Sequence, residues 1–192
     1  MTTWILLRAA GIGSYLMLFL SVAWGLIATT SLVTKRISKQ AANTFHALTA
    51  STGLALLGLH VGLLLIDGFI PFSLVAVTVP MAAEYRPVAI TAGVVAMYAV
   101  VIVIVSSWVR KRIGTAWWRR LHLLAVPTFA LTLLHGVFAG TDSERPWMFT
   151  IYALTGLSVV FLTLVRALTS GYRPPRPVAP VRNRAEEPAA RA

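Results

Sequence analysis

Four histidines are the residues of this chain whose type and spacing could do chemistry, and all four lie within long apolar stretches. His46 and His60 stand 14 residues apart on one stretch, and His122 and His135 stand 13 apart on another. In helices rising about 1.5 Å per residue, those spacings are about 21 and 20 Å, so the two lengths nearly match. Neutral imidazole is a strong metal ligand and a strong axial ligand for haem iron. The chain has no cysteine. Thiolate metal sites, iron–sulfur clusters and the covalent attachment of c-type haem are therefore excluded.

The elements that carry these residues follow from composition. Of 192 residues, 57% are hydrophobic and only 12% charged, about half the charge usual in a soluble domain. Five stretches are long and apolar enough to span a bilayer: about 9–30, 43–66, 88–108, 121–140 and 148–168. The net charge of +11 sits in short runs between them, a pattern that suits anionic lipid and not nucleic acid. Loops 31–40 and 109–120 hold eight Lys/Arg and no acid, while 67–87 and 141–146 hold two Arg against four acids. By the positive-inside rule the first pair is cytoplasmic, which puts the N-terminus outside and the C-terminus inside. We expect a spanning unit over 1–169 and a disordered, basic, Pro-rich cytoplasmic tail over 170–192. The N-terminus does not read as a signal peptide. The apolar segment 71–80 is too short to span and is expected to lie at the outer interface or to cap the bundle.

The second and fourth spans are separated by one helix, so they run in the same direction. His46 and His122 then share the cytoplasmic level, and His60 and His135 share the outer level. Two cross-helix pairs, stacked along the membrane normal, match two haems held between facing helices. The predicted fold class is thus an all-α integral membrane protein, a five-helix bundle with two stacked bis-histidine haem sites. A single intramembrane histidine often does no more than hydrogen-bond a neighbouring helix. A zinc or proton-relay site is the other alternative, but the span interiors carry no Asp or Glu. One point resists: at about 100° per residue His60 returns to within about 40° of His46, whereas His135 lies about 140° from His122. Pro127 lies between the latter two and could bend the helix.

Softer candidates surround the four. Gly53, seven residues from both His46 and His60, would leave room for two rings on their face. Arg8 and Arg86 outside, and Arg119 or Arg120 inside, are candidate partners for haem propionates, although arginines at helix ends also snorkel for their own sake.

With these residues in hand, the chain resembles the ferric reductase-like transmembrane domain family, shared with the membrane part of NADPH oxidases. The resemblance covers about residues 8–168. It rests on the histidine spacing and on Tyr85-Arg86-Pro87, Arg120-Leu121-His122, His135-Gly136 and Gly140-Thr141-Asp142. It implies two non-covalent b haems, ligated by His46 with His122 and by His60 with His135, that carry electrons across a bacterial-type plasma membrane. In the eukaryotic relatives a flavin and NADPH domain follows the last helix. Here only about 24 residues follow, and Gly11-x-Gly13 lies in an apolar span, so no flavin or NAD(P) domain is expected in this chain. A separate flavoprotein or membrane quinol would then donate on the cytoplasmic side, and ferric iron, oxygen or a redox protein would accept outside. The chain would be the oxidoreductase component of that system. The rival readings are a haem-binding anchor of an external reductase, as in bacterial methionine sulfoxide repair, and a haem-free transporter or sensor that uses histidine protonation.

Overall fold

A computed structural model describes residues 2–28 and 38–169. Lys35 and Arg36 of the first basic loop, and the tail expected to be disordered, lie outside the described residues. The described chain is all helix apart from its connections, with eight elements: α1 (Thr2–Ala28), α2 (Lys39–Ile66), α3 (Leu74–Thr78), α4 (Pro87–Trp108), α5 (Arg110–Ile113), α6 (Thr115–His122), α7 (Ala125–Ala139) and α8 (Pro146–Thr169). Five helices are long and apolar enough to cross a membrane, with α6 and α7 together forming the fourth, Thr115–Ala139. Many of their large apolar side chains are exposed, among them Leu157, Phe161 and Leu168 of α8. In water such a surface would aggregate; in lipid it is the expected one.

The ends of the helices follow local chemistry. Ser38 caps α2 by accepting from the Ala41 N–H at 3.1 Å, and Ser73 caps α3 by accepting from Ala76 at 3.1 Å. Pro87 opens α4 at a position where its missing N–H costs nothing. Gly114 separates α5 from α6 with φ +80, a left-handed turn that glycine adopts without strain. The break between α6 and α7 has a different cause. Pro127 has no N–H to offer the Leu123 carbonyl, which instead takes the Val126 N–H at 3.4 Å, while Leu124 N–H bonds Leu121 O at 3.1 Å. Both are i→i+3 bonds. Each residue wound this way turns about 20° further than in an α-helix, which carries His135 back toward the face of His122.

α1 packs along the whole of α2 and also touches α7 and α8, while α4 packs against α6 and α7. Thus α1 and α4 flank a gap across which α2 faces the α6–α7 span. The tightest core lies to one side of that gap, where Tyr15, Val22 and Leu26 of α1 meet Phe129, Met148, Tyr152 and Val159. Tyr15 stacks on Phe129, meets Tyr152 edge-on, and its hydroxyl bonds Thr155. The 71–80 segment forms α3, with Ala76 and Val77 buried and the Thr78 carbonyl accepting from Tyr98 Oη at 2.6 Å. It caps the bundle at the end opposite the basic α5–α6 region.

Candidate functional site

The four histidines converge in two levels on the gap between α2 and the α6–α7 span. At the basic end, the rings of His46 and His122 are 5.8 Å apart between centres, with planes inclined by 69°. At the α3 end, His60 and His135 line one cavity of about 210 Å³. A single water needs roughly 10–15 Å³, so this space is sized for something larger, and its lining is mostly apolar.

Three imidazoles are held by the same kind of bond. The Nδ1 of His46 lies 3.0 Å from the Ser21 carbonyl, that of His60 lies 3.0 Å from Leu7 O, and that of His135 lies 2.9 Å from Ala89 O. A carbonyl only accepts, so Nδ1 donates in each case and the ring lone pair is left on Nε2. Such a bond fixes the tautomer and ring orientation of a metal-binding histidine. Ser21 Oγ also reaches His46 Nδ1 at 3.2 Å. His122 differs: its Nδ1 is buried with no hydrogen-bond partner among the described residues, and its ring stacks on Trp118 with centres 5.1 Å apart.

The softer candidates sit as follows. Gly53 is buried against α1, where an added Cβ would come within 3.2 Å of Met17 Cβ, and its carbonyl accepts from Ser14 Oγ at 3.0 Å. Its observed contact is with a neighbouring helix. Arg8 lines the cavity and forms a two-pronged ion pair with Asp142, Nε to Oδ2 at 2.7 Å. Arg86 donates to the Phe138 carbonyl at 2.6 Å from a left-handed backbone at φ 41, a strained conformation for arginine before a proline. Arg120 lies over the Trp117 ring at the basic end, 5.0 Å from its centre.

The family model for the ferric reductase like transmembrane component matches residues 10–133. The chain belongs to that family. Comparisons with curated proteins and with solved structures find no match. The ferric reductase-like segment takes in α2, α4, α6 and most of α7, with His46, His60 and His122 inside it and His135 two residues past its end. The histidine-accepting carbonyls of Leu7, Ser21 and Ala89 carry no side-chain signature. One trace of them was nonetheless readable: Gly11 and Gly25 are spaced 14 apart, as His46 and His60 are. The partnership of Arg8 with Asp142, 134 positions away, had no local signal.

Proposed function

We propose that this ferric reductase-like chain holds two b-type haems, one between His46 and His122 and one between His60 and His135, and passes electrons across the membrane between them. The observation that carries the reading is the pairing of imidazoles at two levels. Two metal–imidazole bonds of roughly 2.0–2.1 Å, with about 1 Å from each nitrogen to its ring centre, put the ring centres about 6 Å apart. The 5.8 Å between His46 and His122 fits that span. At the other level the cavity offers space that His60 and His135 share. No three His, Cys, Asp or Glu side chains come together among the described residues. Two imidazoles per level are too few for a protein-only zinc site, but they suffice where a porphyrin supplies the other four ligands.

When bound, each haem supplies one-electron ferric/ferrous chemistry. The chain's own part is to bring four imidazoles to the gap, three of them with Nδ1 bonded to a backbone carbonyl and the lone pair left on Nε2. At the α3 end a mostly apolar wall lines the cavity, and the Arg8–Asp142 pair lies at one edge of it. Taking the basic end as cytoplasmic, a flavoprotein or quinol donates near His46 and His122. An external acceptor, whether ferric iron, oxygen or a redox protein, takes electrons beyond His60 and His135.

Purified full-length protein, expressed with ample haem, tests this. A reduced-minus-oxidised spectrum with low-spin b-haem bands and two haems per chain is expected; no haem at all would refute it.

A further inference from the structure

The three bonded histidines share a second feature. A Cβ added to Gly11 would lie 2.8 Å from His60 Nδ1, one added to Gly93 would lie 2.6 Å from His135 Nδ1, and one added to Gly25 would lie 3.6 Å from His46 Cε1. Each glycine stands four residues after the carbonyl that its histidine uses: Leu7 and Gly11, Ser21 and Gly25, Ala89 and Gly93. The geometry explains why. Positions i and i+4 share a helix face, and the carbonyl of i keeps a second lone pair after bonding the N–H of i+4. A ring can reach that lone pair only by lying over position i+4. Without a Cβ there, it can do so.

The arrangement is periodic. Gly11 and Gly25 repeat at 14 residues on α1, opposite His60 and His46 on antiparallel α2. His122, by contrast, is the histidine whose Nδ1 has no partner among the described residues.

We propose that Gly11 and Gly93 are positioning residues that seat His60 and His135 on the Leu7 and Ala89 carbonyls, with Gly25 making a looser version of the same contact at His46. The inference rests on the reading of the four histidines as haem ligands. It makes the two levels unequal: both imidazoles at the α3 end are bonded through Nδ1, but only one is at the basic end. An Nδ1–H bond to a carbonyl raises ligand basicity and so favours ferric iron. Losing one raises the midpoint potential of that level, and gaining one lowers it.

The test is a spectroelectrochemical titration of the protein carrying Gly11→Ala, Gly93→Ala or Gly25→Ala, with haem content measured alongside. Gly11→Ala and Gly93→Ala should weaken haem retention at the α3 end by about 10–100-fold or raise its potential, leaving the basic end as it was. Gly25→Ala should shift the basic end less, because 3.6 Å is ordinary contact. A tenfold change in the one-electron equilibrium reads as about 59 mV. Should Gly11→Ala fail to fold, adding His60→Ala removes all three atoms nearest the new methyl and should restore thermal stability without the haem. A wild type with two haems whose Gly11→Ala and Gly93→Ala forms titrate unchanged overturns the proposal. A wild type without haem overturns the underlying reading instead.

Discussion

The ion pair between Arg8 and Asp142 ties the start of α1 to the turn before α8 at the rim of the cavity, and its two ends differ in exposure. The Arg8 side chain is 37% exposed and that of Asp142 is 14%. Replacing Arg8 by Ala leaves a largely enclosed carboxylate without its counter-charge. Breaking a fully buried pair costs 3–5 kcal/mol and losing a surface pair 0–1, so this intermediate site should cost about 2 kcal/mol. Replacing Asp142 by Ala leaves an arginine that can extend to the headgroup region, and should cost about 1 kcal/mol. The double variant should then be no worse than Arg8→Ala alone, a coupling of about 1 kcal/mol. Thermal unfolding of the four proteins in one detergent reads this cycle; at 2–4 °C per kcal/mol, Arg8→Ala should lower Tm by roughly 4–8 °C. Equal single losses that simply add would show that the pair contributes nothing as a pair, and would refute the reasoning.

Other expectations are briefer. Pro127→Ala restores an N–H for the Leu123 carbonyl and rewinds the α6–α7 join as α-helix, turning His122 away from His46. It should deplete the basic-end haem and spare the other, as a haem count per chain will show. Tyr15→Phe removes the hydroxyl that pairs with Thr155 and should cost about 1 kcal/mol by thermal unfolding. Gly53→Leu forces α2 from Met17 and the backbone at Leu18; overpacking of about 1–3 kcal/mol is expected, read as a lowered Tm.

Much of this was legible from residue order because lipid imposes strong rules. The five spans were readable from uninterrupted apolar length, with boundaries moved most at the first, which begins at Thr2, and the fourth, which begins at Thr115. Those two carry polar or aromatic residues (Arg8, and Trp117 to Arg120) that an apolar count trims away. The meeting of His46 with His122 follows from spacing and topology, as does the shared level of His60 and His135. The 13-residue phase error did not resolve on the page. Two i→i+3 bonds at the α6–α7 join recover about 40° of it, and one of them uses the Leu123 carbonyl that Pro127 cannot satisfy. The carbonyl seats were hidden because backbone atoms have no letter. The ion pair of Arg8 was hidden because a contact across 134 positions depends on how α1 docks against the turn before α8.

The account stands on four imidazoles acting as two couples. Optical redox titration of the wild type beside single alanine replacements of His46, His60, His122 and His135 probes that directly. Replacing either His46 or His122 should remove the same one of two b-haem transitions, and replacing either His60 or His135 should remove the other. Loss that crosses the couples, or four variants that each keep both transitions, would contradict it.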